Sequence, residues 1–196
     1  MRIRYNPEAR PELAAWEYYI DEPEKLRGHW AEQFARRQPM VLDADGLNAL
    51  EDCPERLDDR RGRVTILTPH DGEFARLTGK TLAEIASGER SELASRFACE
   101  HACILVLKGH RTRIALPDGR MLVNTSGSSA LAKGGSGDVL TGVIAALLCQ
   151  DAAALGVWLH GRAGELLEQE LTAYCVSPDA LAERGLPAAF REIMEL

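Results

Sequence analysis

The segment Lys133–Asp138 is the strongest candidate for chemistry in the sequence, since three of its six residues are glycine. Gly134, Gly135 and Gly137 would let the backbone approach a ligand closely, and the apolar run that follows predicts a helix beginning near Ser136. The start of a helix has unpaired N–H groups and a partial positive charge. Together these features predict a phosphate-binding site at Gly134, Gly135, Ser136 and Gly137.

Asp138 falls in the first turn of this predicted helix, beside the phosphate site. A carboxylate in that place can take the proton from a substrate hydroxyl as the hydroxyl attacks phosphorus. Asp138 is therefore the predicted general base. A structural interpretation stays open, in which the glycines form a flexible turn and Asp138 stabilises the helix dipole.

A second candidate segment, Lys108–Thr112, follows a short apolar run that predicts a buried strand. Ligands of open α/β sheets bind at the carboxyl ends of the strands. Lys108 could reach a nucleotide phosphate there, and Gly109 could allow close approach. The alternative is a loop before a hairpin, with a solvated lysine and arginine.

His70 lies in a third segment, Leu67–Glu73, which also follows a predicted strand. Its position in a loop argues against a simple core histidine, and its ring could hydrogen-bond a substrate. The alternative is that Asp71 or Thr68 caps the next helix and that His70 is incidental.

The fourth segment, Val41–Asn48, places Asp43, Asp45 and Asn48 after another predicted strand. Two carboxylates and an amide could bind Mg²⁺ through water or position a substrate. Alternatively, Asp45 caps a short helix. Because each of the four segments follows a predicted strand, we expect all four to line one edge of the sheet.

Short apolar runs alternate with helical patterns, which predicts an α/β fold with a mostly parallel sheet and helices on both faces. Pro117-Asp118-Gly119 predicts a small hairpin within residues 111–124. The other strands are expected at residues 40–44, 64–68 and 103–107. Helices are expected at residues 72–77 with Gly79 as C-cap, 89–102, 136–149, 152–170, 179–182 and 187–194, and an N-terminal one is indicated by Leu26, Trp30 and Phe34.

The composition indicates which classes of protein this chain can belong to. The chain has 196 residues, 45% of them hydrophobic, and a net charge of −7. This predicts a soluble globular domain without a broad basic surface for nucleic acid. No apolar stretch approaches the length of a membrane span, and the N-terminus lacks the apolar region of a signal peptide. Five scattered cysteines favour the cytoplasm.

The order of several motifs resembles the ADP/ATP-dependent NAD(P)H-hydrate dehydratases, which belong to the ribokinase-like superfamily. The matching stretches, from about residue 40 onwards, are VLDADGLNAL, LTPHDGEFARLTG, LVLKGHRT, NTSGSSALAKGGSGDVLTGVIAALL and GVWLHGRAGELL. The resemblance implies ADP- or ATP-dependent repair of hydrated NADH or NADPH. The ring hydroxyl is phosphorylated, with Mg²⁺ in support, and phosphate is then eliminated.

The resemblance also implies roles for individual residues. Asp138 matches the aspartate that serves as base and substrate contact, and His70 matches a histidine that contacts the hydrated cofactor; Asn48 is a further candidate substrate contact. Five consecutive residues match the stretch that holds the AMP part of the nucleotide, namely Lys108, Gly109, His110, Arg111 and Thr112. Gly137 joins them in this role.

The sequence departs from the family pattern in two places. Ser128 stands where the family commonly has asparagine, so one side-chain amide is expected to be lost. No glycine-rich segment of the GPGLG type, which completes the substrate site in the family, is found before Met40. We therefore expect residues 1–39 to be a divergent N-terminal segment and residues 40–196 to be the C-terminal part of a ribokinase-like dehydratase domain.

Two other functions remain open at this point. One is a small-molecule kinase of the hydroxyethylthiazole kinase type, within the same fold. The other is an inactive nucleotide-binding fragment. Because strands of the family's sheet would be missing, an unpaired edge and exposed apolar surface are expected, and with them a homo-oligomer.

Overall fold

A five-stranded sheet forms the centre of the part of the chain described by the computed structural model. The described residues are 38–86, 89–147 and 152–195, and Gln38–Leu196 forms a compact unit of its own. The predicted N-terminal helix around Leu26 lies outside these residues. The strands are β1 (Met40–Leu42), β2 (Thr65–Leu67), β3 (Ile104–Leu107), β4 (Arg113–Ala115) and β5 (Met121–Val123).

The strands occur in the sheet in the same order as in the chain. β1, β2 and β3 pair in parallel, whereas β4 and β5 form the antiparallel hairpin predicted from Pro117-Asp118-Gly119. This arrangement confirms the predicted α/β fold with a mostly parallel sheet. Because the three parallel strands end at one edge, the residues that follow them leave the sheet on the same side.

The helices connect and flank these strands. Each of the predicted helices within the described residues is present, with bounds that differ by a few residues. The α-helices are α1 (Asp45–Asn48), α2 (Asp71–Thr78), α3 (Leu82–Ala86), α4 (Arg90–Glu100), α5 (Ser136–Leu147), α6 (Ala152–Leu171), α7 (Pro178–Ala180) and α8 (Leu186–Met194); short 3₁₀ helices occupy Pro54–Arg60 and Ser129–Leu131.

The C-terminal helices are more continuous than predicted. The sequence predicted separate helices at residues 179–182 and 187–194, but a π-helical segment, Leu181–Gly185, joins α7 to α8. Pro187 has no N–H with which to continue the α-helical hydrogen bonds of the preceding turn. Gly185 also packs closely on α6, since a Cβ there would lie 2.8 Å from Leu167. The proline therefore changes the helical pitch without ending the helix.

Both faces of the sheet are buried at β2 and β3, whereas Leu122 and Val123 of the edge strand β5 are exposed. Ile66, Val106 and Ile114 pack on one face against α5 and α6. Residues that alternate with them, such as Leu67 and Leu105, are fully buried on the other face, and α4 contacts β3 and β4. Alternation of side chains along a strand explains why the central strands β2 and β3 need apolar partners on both sides.

A second core joins α6 to the C-terminal helices. It includes Leu159, Ala163 and Leu167 on α6, together with Leu181 and Ala189. This core fixes the C-terminal segment against α6, the helix that follows α5 in the chain. Among the residues that the structure describes, no helix combines the length and the apolar character needed to cross a membrane.

Candidate functional site

Lys108 and Asp43 meet at the carboxyl edge of the sheet. Lys108 follows β3, Asp43 follows β1, and Lys108 Nζ lies 2.7 Å from Asp43 Oδ1. Glu73, on α2 after β2, places a carboxylate oxygen 3.8 Å from the same ammonium group. The ends of the three parallel strands therefore converge, as predicted, and Lys108 is paired with carboxylates and not solvated.

Asp43 accepts hydrogen bonds on both carboxylate oxygens. Its Oδ2 receives the hydroxyl of Thr141, which lies on α5, at 2.9 Å. Burial by itself would raise the pKa of Asp43. The hydrogen bond and charge of Lys108, with hydrogen bonds from Thr141 and Thr68, outweigh burial and hold the pKa below its usual value. Asp43 is therefore a fixed negative charge between β1, β3 and α5.

The start of α5 lies directly against this ion pair. A Cβ placed on Gly137 would be 3.6 Å from Lys108 Nζ and 3.7 Å from Asp43 Oδ2. Two segments that the sequence predicted as nucleotide-binding, Lys108–Thr112 and Gly134–Gly137, are thus neighbours in space. A ligand anion at the helix start would meet the lysine ammonium group as well as backbone N–H groups.

Ser136 anchors the start of α5 through its side chain. The Ser136 hydroxyl lies 3.1 Å from His160 Nε2, and the Ser136 carbonyl oxygen lies 2.9 Å from the same nitrogen. Burial lowers the pKa of His160 to about 4, although the hydrogen bond to Ser136 acts in the opposite direction. The neutral imidazole of α6 therefore holds the first residue of α5, and the Ser136 hydroxyl is directed toward His160.

Lys133 precedes the glycines but holds a neighbouring loop. Its Nζ donates to the carbonyl oxygens of Ala173, Tyr174 and Val176 at 2.9, 2.8 and 2.7 Å. Gly135 has φ +88°, and a Cβ there would lie 2.8 Å from Pro178 Cγ, whereas Gly134 has open space around it. Gly135 is therefore packed against Pro178 on the side where a Cβ would lie, whereas Gly134 is open on that side.

Asp138 is exposed in the first turn of α5, next to Gly137. Its carboxylate is accessible to a substrate that binds over the helix start. This placement agrees with the geometry required of a base beside a phosphate site, in which the carboxylate must reach a substrate hydroxyl. The role of Asp138 stays a prediction.

His70 is itself the N-cap of α2. Its Nδ1 accepts the backbone N–H groups of Gly72 at 2.9 Å and Glu73 at 3.2 Å, and a Glu73 carboxylate oxygen accepts the His70 N–H at 2.7 Å. The alternative that Asp71 or Thr68 caps this helix is wrong, because Asp71 pairs with Arg90 and the Thr68 hydroxyl donates to the Leu42 carbonyl.

The cap leaves one ring nitrogen of His70 for a ligand. Since Nδ1 accepts two N–H groups, a neutral ring carries its proton on Nε2. The His70 side chain is 56% exposed, with Nε2 3.5 Å from a Glu73 carboxylate oxygen. His70 can therefore donate a hydrogen bond from Nε2 to a substrate oxygen while it caps the helix.

The loop after β3 is held by contacts that the sequence did not predict. Arg90 on α4 donates to the Lys108 carbonyl oxygen at 2.5 Å and pairs with Asp71 at 2.7 Å. A Cβ on Gly109, which has φ +151°, would lie 2.8 Å from the Arg90 guanidinium. The positive φ therefore favours glycine at position 109 whether or not a nucleotide also lies near it.

The remaining residues of this loop, His110, Arg111 and Thr112, extend toward solvent. The Thr112 hydroxyl donates to the Gly109 carbonyl oxygen at 3.1 Å, and Arg111 has φ +55°. His110 and Arg111 are exposed. They are accessible to a nucleotide bound beside Lys108, and their contacts with a nucleotide stay predictions.

Asn48 does not join Lys108 and Gly137. Its amide oxygen accepts Arg76 at 2.9 Å, and its amide nitrogen donates to Asp45 at 3.4 Å. The alternative that Asp45 caps α1 is wrong, because the N-cap position belongs to Ala44 and no side chain caps it. Asn48 would have to leave Arg76 to contact a substrate through its amide oxygen.

The described side chains do not form a metal cage. Among residues 38–86, 89–147 and 152–195, no group of three histidine, cysteine, aspartate or glutamate residues is placed to hold a metal ion. Asp43, which the sequence suggested could bind Mg²⁺ through water or position a substrate together with Asp45 and Asn48, bonds Lys108 and Thr141. These three side chains therefore do not fit Mg²⁺ in this arrangement.

Three residues of the site were not identified from the sequence as candidates. Glu73 could have been found as the third residue after His70, which is the spacing of a capping box. Thr141 follows Gly137 by four residues, so that both lie on one helix face. Arg90 has no local signal, because its partners lie 18 and 19 residues away.

The family model described as NAD(P)H-hydrate dehydratase matches residues 22–185. The ADP-dependent (S)-NAD(P)H-hydrate dehydratase of Neisseria meningitidis serogroup B is 43% identical over 158 residues, which are 78% of this chain and 52% of that enzyme. The bifunctional NAD(P)H-hydrate repair enzyme of Moorella thermoacetica is 49% identical over 132 residues, 65% of this chain and 24% of that enzyme.

A crystal structure supports the same relationship. The ADP/ATP-dependent NAD(P)H-hydrate dehydratase from Bacillus subtilis, co-crystallized with ATP and Mg²⁺ and soaked with CoA, superposes with a TM-score of 0.69 and 35% identity. The match covers 81% of this chain and 58% of that one. This chain therefore spans about a quarter to just over half of the length of these relatives.

Proposed function

Because the chain belongs to the NAD(P)H-hydrate dehydratase family, we propose that it acts in the ADP- or ATP-dependent dehydration of hydrated NADH or NADPH. The observation that carries the proposal is the contact between the start of α5 and Lys108. A Cβ on Gly137 would lie 3.6 Å from Lys108 Nζ, at the edge where the parallel strands end. A site with backbone N–H groups and an ammonium group suits a nucleotide phosphate.

In the proposed reaction, the ring hydroxyl of the hydrated cofactor attacks the terminal phosphorus of ADP or ATP. The hydroxyl proton passes to the Asp138 carboxylate, and the bond between phosphorus and the nucleotide breaks. The carbon–oxygen bond then breaks, phosphate leaves with the electron pair, and loss of a ring proton restores the double bond. Phosphorylation thus turns a poor leaving group into a good one.

His70 and Asn48 are proposed to contact the hydrated cofactor. The exposed side chain of His70 supports this role, because its Nε2 can donate to a substrate oxygen while Nδ1 caps α2. Asn48 supports it less directly, since its amide oxygen already accepts Arg76. We propose that the nucleotide lies along Lys108–Thr112 and the backbone of Gly134, Gly135, Ser136 and Gly137.

The proposal includes Mg²⁺ as a companion of the nucleotide phosphates, since Mg²⁺ is commonly held by phosphates, water and one or two carboxylates. No step is assigned to the ion, because the described side chains do not fit it in this arrangement. We also propose a cytoplasmic location and a homo-oligomer. The assay described next compares ADP with ATP and NADH hydrate with NADPH hydrate.

The test is turnover by the purified chain. Hydrated NADH and hydrated NADPH are each mixed with ADP or ATP, and the return of absorbance at 340 nm is followed together with phosphate release. Nucleotide binding is measured separately by calorimetry. Recovery of the reduced cofactor with stoichiometric phosphate supports the dehydratase.

Two other outcomes separate the remaining functions. A stable phosphorylated alcohol, formed from hydroxyethylthiazole without phosphate release, would replace the dehydratase by a small-molecule kinase. Nucleotide binding without turnover of any alcohol would replace it by a nucleotide-binding protein.

A further inference from the structure

Thr141 joins α5 to the ion pair at the edge of the sheet. It lies on α5 one turn after Gly137, and its hydroxyl donates to Asp43 Oδ2 at 2.9 Å. The other oxygen of the same carboxylate accepts Lys108 at 2.7 Å. One carboxylate, only 11% exposed, therefore ties together the end of β1, the end of β3 and the first turns of α5.

We infer that Thr141 is a positioning residue for the proposed reaction, because its hydroxyl sets the place of the α5 start relative to Lys108. The inference rests on the proposed function, in which Lys108 contacts the nucleotide and Asp138 is the base. Asp138 precedes Thr141 by three residues, so the two side chains are neighbours on the helix surface. Movement of α5 along Asp43 would change the distance between base and nucleotide.

Other contacts keep α5 folded and attached to the domain when the Thr141 hydroxyl is lost. Ser136 is held by His160, and Leu140 and Ile144 pack against the sheet. Loss of the hydroxyl should therefore shift the first turns by a fraction of an ångström without unfolding the helix. Displacements of about 1 Å can lower a rate by roughly 10²-fold when reacting groups must be aligned.

The decisive variants are Thr141→Val, which removes the hydroxyl at nearly constant shape, and Thr141→Ser, which keeps it. Thr78→Val is the matched control, since Thr78 is also a half-buried helical threonine, but its hydroxyl bonds carbonyl oxygens within α2 at 2.8 and 3.3 Å. Each protein is assayed with enzyme in excess over hydrated NADH at saturating ADP or ATP. Nucleotide Kd is measured by calorimetry.

Thr141→Val should lower the rate at saturating nucleotide by about tenfold or more, the scale expected for a sub-ångström misalignment. Its nucleotide Kd should stay within about twofold, since Lys108 and the glycine backbone remain. Thr141→Ser and Thr78→Val should keep the wild-type rate. A Thr141→Val rate equal to that of the wild type, or an equal loss in Thr141→Ser, would overturn the inference.

Failure of the proposed function gives a different result, namely a wild-type chain that dehydrates neither hydrated cofactor. The positioning role is then judged by amide hydrogen exchange over Leu140–Ile144 in the free proteins. Faster exchange there in Thr141→Val than in Thr141→Ser and Thr78→Val supports a hydroxyl that holds α5. Equal exchange in the three variants overturns it.

Discussion

His160 Nε2 lies 2.9 Å from the backbone oxygen of Ser136, so an imidazole on α6 holds the first residue of α5. Burial lowers the pKa of this histidine to about 4, from its usual value of 6.5. The ring is therefore neutral in the folded protein under conditions where the same ring in the unfolded chain is already protonated. Because of this difference, the stability of the folded protein depends on pH through a histidine at the start of the candidate site.

Stability should fall as the pH drops from 6.5 toward 4. In that range the unfolded chain binds a proton at His160 that the folded protein does not bind, so acid favours unfolding. The full effect is about 3 kcal/mol once the pH is below the folded pKa. Above pH 6.5 the contribution of His160 should be constant.

Urea unfolding at several pH values between 7 and 4.5 measures this effect. The His160→Gln variant, which cannot titrate, should show a flatter dependence of the unfolding free energy on pH than the wild type. All of these pH values lie above the usual pKa of Asp43. Because the folded protein lowers this pKa further, Asp43 affects stability only in stronger acid. Parallel profiles for the two proteins would show that His160 does not remain neutral.

Asp138→Asn should remove activity without removing the fold. Asparagine keeps the size of the side chain but lacks the basicity needed to accept the hydroxyl proton, so the rate should fall by roughly 10²-fold or more. Because Asp138 is exposed, the melting temperature should change little. Dehydration kinetics and thermal unfolding test both statements, and a folded variant with a rate within a few-fold of the wild type would remove Asp138 as the base.

Gly137→Val should weaken nucleotide binding more than it lowers stability. A Cβ added at this position would itself contact Lys108 Nζ and Asp43 Oδ2. The methyl groups of valine would extend further, into the proposed phosphate site. Calorimetry with ADP and ATP measures the affinity, and thermal unfolding measures the stability.

Gly142→Val is the matched control for this prediction. Gly142 lies on the same helix, and an added Cβ there would meet no side chain within 4 Å other than those of its chain neighbours, so this variant also changes helix propensity but does not crowd the site. Equal nucleotide affinity in the two variants would argue against a phosphate site at Gly137.

The elements that carry the site were predictable because their signals are local. Each parallel strand is a short apolar run, and the helix after the glycines has a continuous apolar pattern. Their shared edge followed from the parallel order alone. The motif Lys133–Asp138 is also a local signal, and the anion site that it predicts stays a prediction.

The pairings within the site were not predictable in the same way. Lys108 and Asp43 are 65 residues apart, and Thr141 and Asp43 are 98 residues apart, so only the folded sheet reveals their contact. His70 caps α2 although histidine is not among the preferred N-cap residues. Its role in the helix therefore escaped a search based on residue type.

Lys133 and Lys108 should affect nucleotide binding differently, although both lie beside the glycine-rich loop. Lys108 Nζ lies at the start of α5, whereas Lys133 Nζ is occupied by three carbonyl oxygens of the segment after α6. A lysine that attracts phosphate contributes an interaction that salt screens. A lysine held by carbonyl groups contributes mainly to stability, about 1–3 kcal/mol for hydrogen bonds of a charged group.

Lys108→Met should therefore weaken ADP binding by about tenfold and make the affinity less dependent on salt. Lys133→Met should lower the free energy of unfolding and leave the salt dependence unchanged. Calorimetry with ADP at 50 and about 300 mM salt distinguishes the two lysines, and urea unfolding measures the loss of stability in Lys133→Met. A reduced salt dependence in Lys133→Met would place its charge at the nucleotide and contradict its assignment to the carbonyl groups.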